Sequence, residues 1–259
     1  MLRRVEHTDS SDFWILVPQI EHARLSGALA QSWRDDSLAA IEPHAEFMAA
    51  IAHHDDGWAD WDAAPDVDPS AGRPLSFVEM PLEASIDIWR RSIYLARSRG
   101  PLAAHVVSAH FTALLQKSSP KWSLDPARFQ TSRQFLDDQS EHREQWLAEW
   151  QSVNPAVRTR KLAERALAYL QFFDGLSLWL CGALRSEVQT FQSPQGYEVS
   201  FLARGPLRFT VEPWPFVVQR VTWSVRGRRV PIGRYVTREI FASAPYELAD
   251  LDFELSRDA

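Results

Sequence analysis

Residues 13–33 read FWILVPQIEHARLSGALAQSW, and the change of period inside this stretch decides the fold. Phe13 to Val17 is a compact β-prone run that Pro18 ends. After Pro18 the apolar positions recur at helical spacing, so residues 19–33 are read as a helix. His22 then shares a face with Leu25, Leu29 and Trp33. The residues before Pro18 form two short strands around the polar turn Asp9-Ser10-Ser11-Asp12. An imidazole on the apolar face of a helix is the feature that needs explaining.

Working outward, Glu42-Pro43 opens a second helix that runs to about residue 56. A loop rich in Asp, Pro and Gly covers 57–74. Helical patterning returns over 81–99, Gly100-Pro101 breaks it, and Pro101 starts the next helix, to about 117. Residues 126–150 form another. Asn154-Pro155 is a cap and first-turn pair that opens a long helix to about 188. From Tyr197 the chain is rich in Val, Phe, Trp, Thr and Arg, which predicts strands at 198–203, 207–212, 217–225 and 229–232. The expected fold is mainly α: a helical bundle with a small antiparallel sheet made by the N-terminal strands and the C-terminal tail. The division is a helical metal-binding domain over 1–190, carrying the N-terminal hairpin, and a β-rich extension over 191–259 packed on it.

Four of these helices turn a metal-capable side chain toward an apolar face. Besides His22, His54 aligns with Phe47 and Ile51, and His110 with Ala103, Val106, Val107 and Leu114. Asp174 lies on a stripe with Leu167, Leu170, Leu178 and Cys181. Burying such groups is costly unless they are satisfied, and a bound cation would satisfy several at once. Asp55, next to His54, projects about 100° away on a helix and can reach the same ion. Imidazole with carboxylate suits Fe, Mn, Zn, Co or Ni, as one or two ions. His53 faces Ala49 and Ala50, and His105 shares a small, polar face with Ser108, Ala109 and Thr112; both are weaker candidates. His7, His44 and His142 read as solvated. Gln19, one turn before His22, either donates to a metal-bound water or substrate or serves as a polar cap. Asp56, Trp58, Asp60, Trp61 and Asp62 follow the His-Asp pair in a loop. Asp56, Trp58 and Trp61 are the candidates for substrate binding there, and the acids could orient ligand histidines. Gly57 would permit a positive φ at the helix end.

Composition narrows the classes. Apolar residues make up 45%, enough for a real core. The single cysteine, Cys181, excludes an intrachain disulfide and a thiolate zinc site, and reads as core. The N-terminus lacks an apolar leader and no apolar run spans a bilayer, so a cytoplasmic, non-membrane protein is expected. Net charge is −6, yet residues 204–238 hold eight Arg against one acid, Glu212. Arginines in rows grip phosphate or carboxylate, or else line a solvated sheet surface. Nucleic acid is not an expected partner, because the rest of the chain is acidic. No GxSxG, GxxxxGK[ST] or GxGxxG motif is present.

The run Phe13 to Gly27 resembles the opening of the DUF3891 family. So do His54-Asp55-Asp56-Gly57-Trp58 with Trp61-Asp62, Val107-Ser108-Ala109-His110, and Phe135-Leu136 with Gln139. Asp174-Gly175-Leu176-Ser177-Leu178 with Leu180-Cys181, and Pro213-Trp214-Pro215-Phe216, complete the resemblance. That family is similar to the HD superfamily, whose helical core binds metal through His, His-Asp and a distant Asp. The resemblance implies an HD-like bundle with His22, His54, Asp55 and Asp174 as ligands. It also implies His110, and less strongly His105, beside a second ion. The β tail departs from a minimal HD domain. Most characterised HD proteins hydrolyse phosphate esters; a minority bind two irons and use oxygen.

Three functions follow as expectations. The first is a metal-dependent hydrolase of a small phosphate ester or phosphodiester, with Asp55 and Gln19 catalytic. Arginines of 204–238 could contact its phosphate, while the six Asp of 55–68 would repel polyanions. The second is a dinuclear iron oxygenase, with Asp55 as bridging carboxylate. The third is a non-catalytic binding protein stabilised by its metal. The expected partner is a small molecule, phosphorylated in the first case.

Overall fold

The computed structural model describes residues 1–9, 11–118, 125–182 and 187–257. The chain opens with strands β1 (Leu2–His7) and β2 (Asp12–Val17), followed by helices α1 (Gln19–Ser32), α2 (Asp36–Ala39) and α3 (His44–His53). A 3₁₀ turn at Asp56–Trp58 leads into α4 (Ala59–Ala63) and a two-stranded pair, β3 (Val67–Asp68) and β4 (Arg73–Pro74). Three long helices follow, α5 (Leu82–Arg97), α6 (Pro101–Ser118) and α7 (Pro126–Val153), and then α8 (Arg160–Gly182). The rest is β5 (Val188–Gln192), β6 (Glu198–Gly205), β7 (Arg208–Glu212), β8 (Val221–Pro231), α9 (Arg238–Ala242) and β9 (Glu247–Arg257).

The expectation of a mainly α bundle with a small sheet is wrong. About 52% of the described residues are helical, but among them seven strands form one curled mixed sheet in the order β1-β2-β8-β9-β7-β6-β5. All neighbours are antiparallel except β7 and β9, which run parallel. Two readings hid the size of this sheet. Residues 247–257 form a strand outside the expected ones, although buried Leu251, Phe253 and Leu255 alternate with exposed or half-buried Asp250, Asp252, Glu254 and Ser256, the pattern of a half-buried strand. Residues 221–225 and 229–231, from two separately expected strands, belong to one: β8 runs unbroken through Arg226-Gly227-Arg228 and pairs with β2 on one side and β9 on the other. Pairing on both sides makes the N-terminal hairpin and the tail a single sheet.

β2 shows why the opening stretch is so apolar. Ile15 and Val17 enter the main core with the helices, while Trp14 and Leu16 enter a second cluster with Val230 and Phe241. A strand buried on both faces needs an almost continuous apolar run. The main core joins α1, α3, α5, α6, α7 and α8 to the inward faces of β6, β7, β8 and β9. α1 packs on α3, α8 and β8, and α6 packs on α3, α5, α7 and α8.

Local signals explain several helix ends. Asp125 caps α7 through its carboxylate, which accepts from the backbone N–H groups of Ala127 and Arg128, with Pro126 in the first turn. Asn154 instead ends α7, and a turn delays α8 to Arg160. The helix expected to run to 188 is described as far as Gly182, and Val188 begins a strand; residues 183–186 and Ser10 of the expected hairpin turn lie outside the described residues. No helix among the described residues is long and apolar enough to cross a membrane.

Two glycines allow close packing near the future site. A Cβ on Gly27 of α1 would lie 2.4 Å from the Cβ of Ala52, so glycine brings α1 against α3. Gly57, expected to adopt a positive φ, does not; a Cβ there would lie 2.4 Å from the Ile88 carbonyl oxygen of α5. Gly57→Ala should therefore destabilise the protein by about 1–3 kcal/mol, the usual cost of overpacking. Gly175→Ala, in α8 with nothing within 4 Å of the added Cβ, should be neutral or stabilise by up to about 1 kcal/mol. Urea unfolding of the two variants checks the contrast, and equal effects would refute it.

Candidate metal centre

α1 begins directly after Pro18 and has no capping side chain of its own. The cap comes from α4: the Asp62 carboxylate accepts from the backbone N–H groups of Gln19 at 2.6 Å and Ile20 at 3.4 Å. This fixes the first turn of α1, and His22 lies on its inner side, fully buried. His54 is the residue that ends α3, and Asp55 follows it into the 3₁₀ turn. Asp174 comes from the middle of α8 and His110 from α6.

These side chains converge. His22 Nε2 is 2.8 Å from Asp55 Oδ2, and His54 Nε2 is 3.7 Å from the same oxygen. His54 Nε2 is 3.2 Å from Asp174 Oδ1, and His22 Nδ1 is 3.9 Å from it. Ligand atoms on one transition-metal ion, with bonds of roughly 2.0–2.2 Å, stand roughly 3–4 Å apart. His22, His54 and Asp174 offer ligand atoms that all lie within 4.8 Å of one another, so this buried cluster could hold a metal ion. His110 Nε2 stands 3.8 Å from Asp174 Oδ2, the oxygen turned away from His54. Asp174, rather than Asp55, is thus the carboxylate whose two oxygens face different imidazoles.

Hydrogen bonds at the far side of each ring set its orientation. His54 Nδ1 donates to the Ile51 carbonyl at 2.9 Å, which leaves Nε2 facing the carboxylates. The Ser177 hydroxyl donates to the Asp174 carbonyl at 2.9 Å, so its oxygen accepts from His22 Nδ1 at 3.0 Å. Ser26 supports Ser177 at 2.8 Å. Gln19 Nε2 donates to Asp55 Oδ2 at 3.3 Å. Two buried polar atoms here have no partner, Gln19 Oε1 and His110 Nδ1.

Electrostatics follow from this crowding. Burial opposes a charge on His54, but the Asp55 charge and the bond to Asp174 outweigh it and raise its pKa to about 9. Burial would raise the Asp174 carboxyl; the His54 bond and the imidazoles around it hold it well below the usual range instead. Asp55 is lowered in the same way, against its burial, by His54 and His22. His110 is pushed down to about 4 by burial, only partly offset by the Asp174 charge.

A cavity of about 300 Å³ ends on Gln19, Asp55, His110 and Asp174. Its walls are Trp58, Phe77, Met80, Leu82, Trp89, Phe111, Leu114 and Leu178, with Val78, Ser85 and Ser118 completing the lining. Of the loop residues read as substrate-binding, Trp58 lines it. Trp61 and Asp56 do not: Trp61 packs beside the Trp58, Met80 and Ile88 cluster, and Asp56 is held by Arg99 at 2.7 Å and His53 at 3.2 Å. His53 is taken up by that contact, and His105 Nδ1 donates to the Arg143 carbonyl at 3.0 Å, so neither joins the cluster.

None of the eight arginines of 204–238 lines the cavity. Arg226 and Arg229 of β8 stand opposite Asp250 and Glu247 of β9 and pair with them at 3.2 and 3.4 Å, as cross-strand charges do. Sequence reasoning missed Ser26 and Ser177, which sit one turn after His22 and Asp174 on the same faces. A small polar residue on an otherwise apolar stripe was the available signal. The aromatic wall from α5, with Trp89, carried no such mark.

The sequence matches the family described as "Protein of unknown function (DUF3891)" over residues 6–232. No curated protein and no solved structure matches the chain.

Two measurements test this geometry. Ser177→Ala frees the His22 ring and should weaken metal binding by roughly 10- to 100-fold, the usual effect of removing a group that orients a ligand; an unchanged affinity by competition with a chelating dye would contradict it. The second is stability against pH in chelator-treated protein. His54, raised above its ordinary 6.5, adds stability that is complete below 6.5 and lost as pH rises through 9. His110, depressed, subtracts stability as pH falls from 6.5 through 4. Asp55 and Asp174, also depressed, add stability above their ordinary 3.8 that is lost on further acidification. Urea midpoints should therefore peak near pH 6.5 and fall on both sides. Saturating metal should flatten the alkaline limb, because a ligating imidazole is neutral. A chelator-treated protein as stable at pH 9 as at 6.5 would refute this.

Proposed function

We propose that this chain, which belongs to the DUF3891 family, is a metal-dependent hydrolase of a small phosphate ester or phosphodiester. The observation that carries the reading is the cavity of about 300 Å³ that reaches Asp55, Asp174 and His110. A metal kept only for stability needs no such approach, since structural sites are closed. The order of His22, His54-Asp55 and Asp174 along the chain is also similar to the ligand order of the HD superfamily.

The residues fit an ion. Two imidazoles and two carboxylates suit Fe, Mn, Zn, Co or Ni, and His110 Nε2 stands beside them, 3.8 Å from Asp174 Oδ2. His22, His54, Asp55 and Asp174 would hold it, and His110 would share Asp174 with a second ion. A bound ion supplies Lewis acidity and lowers the pKa of water at the cavity floor.

The chain's own groups do the rest. Ile51 and Ser177 keep both Nε2 atoms turned inward. Asp55 Oδ2 is held by His22 and Gln19, which leaves Oδ1 to receive a proton from a water bound in the cavity. Gln19 Oε1, buried without a partner, accepts from that water or from a substrate donor and so orients it. The apolar walls exclude bulk water and strengthen every charge interaction at the floor.

The dinuclear oxygenase gains less. It needs imidazoles from the middle helices around its second ion, and of His105 and His110 only His110 stands in the cluster.

The test is elemental analysis of protein purified without a metal-binding tag, combined with hydrolysis of bis(p-nitrophenyl) phosphate. We expect at least one transition-metal ion per chain, and activity that chelation abolishes and re-addition restores. Asp174→Ala and His54→Ala should each lower activity by more than about 100-fold with loss of metal. Metal-loaded protein with no phosphoesterase activity would overturn the reading, and an oxygen-dependent iron chromophore would replace it with the oxygenase.

A further inference from the structure

We infer that the cavity selects a substrate whose body, beyond the reacting ester, is uncharged and apolar, of aryl or branched-alkyl type, and disfavours nucleotides and polyphosphates. This rests on the hydrolase reading above and narrows its substrate class.

The walls are the first ground. Trp58, Phe77, Met80, Trp89, Phe111 and Leu178 enclose the space above the polar floor. Trp89 and Phe111 stack with centroids 5.5 Å apart and planes at 16°, so an aromatic pair from two helices builds one side of the cavity. Such a surface suits a flat or branched hydrocarbon body.

Charge is the second ground. No Arg or Lys is among the lining residues, and the floor carries two carboxylates. Among the described residues Arg91 Nε donates to the Gly57 carbonyl outside the lining, and Arg228 of β8 reaches the Ala63 and Asp62 carbonyls. Beyond the ion itself, a polyphosphate here would meet no Arg or Lys side chain to pair its further charges.

The third ground is polar. Besides His110 Nδ1, two lining atoms are buried with no partner, the donor Trp58 Nε1 and the acceptor Gln19 Oε1. Buried polar atoms of this kind are normally satisfied, so a ligand is the natural partner. What they offer is one neutral donor and one neutral acceptor. They complement a single ester group, not a string of charges.

The test is calorimetric titration of the metal-reconstituted full chain with three probes: phenylphosphonate, methylphosphonate and adenosine monophosphate. Phenylphosphonate should bind roughly ten- to a hundredfold more tightly than methylphosphonate, the gain from burying a phenyl-sized group. Adenosine monophosphate should bind no more tightly than methylphosphonate. Trp89→Ala should close most of the gap and Trp89→Phe should keep it, with thermal melts confirming that both fold. Equal binding of the two phosphonates, or tightest binding of the nucleotide, overturns the inference. A phenyl preference without hydrolysis of bis(p-nitrophenyl) phosphate sinks the hydrolase reading and leaves the selectivity standing. Hydrolysis without a phenyl preference does the reverse, and no binding of any probe removes both.

Discussion

Two carboxylates, Asp55 and Asp174, are buried at the meeting point of α1, α3, α6 and α8, and the surrounding structure answers their cost. An ionised carboxylate removed from water is far more expensive than one hydrogen bond can offset. Here His22 and His54 face both carboxylates, and His110 stands beside Asp174. The outer nitrogens of His22 and His54 are tied to Ser177 and to the Ile51 carbonyl. The arrangement leaves little freedom: a shift of any one helix would strand a charge in an apolar core.

The sheet belongs to this arrangement and is no appendage. Arg228 on β8 donates to the backbone carbonyls of Asp62 and Ala63. The Asp62 carboxylate caps α1, and α1 carries Gln19 and His22. A continuous set of contacts thus runs from the C-terminal strands to the floor of the cavity. β8 also lies between β2 and β9, so the N-terminal hairpin and the tail hold each other in place.

Polarity is divided sharply within the cavity. All of its ionisable groups lie at the floor, while the walls from α5 and α6 and the turn after Asp55 are mainly aromatic or aliphatic, with only Ser85 and Ser118 polar among them. The acids that crowd residues 55–68 do not form a charged rim there. Asp56 is neutralised by Arg99, Asp62 serves as a helix cap, and Asp66 pairs with Arg238. Charge is concentrated where reacting atoms would sit and withheld where the rest of a substrate would lie.

Helical spacing alone put His22, His54, His110 and Asp174 on apolar faces, because the 3.6-residue period and the cost of burying polar groups both act locally along the chain. The strand-to-helix switch at Pro18 and the Asp125-Pro126 helix start are legible for the same reason. What the tertiary structure alone decided is everything that depends on which distant segments meet. The tail became five strands of a seven-stranded sheet because β8 found partners on both edges, and no local pattern states a partner. Trp61 and Asp56 left the cavity because α5 and Arg99 took the space beside them. Asp174 came to turn one oxygen to His54 and the other to His110, a relation that exists only once α3, α6 and α8 have packed.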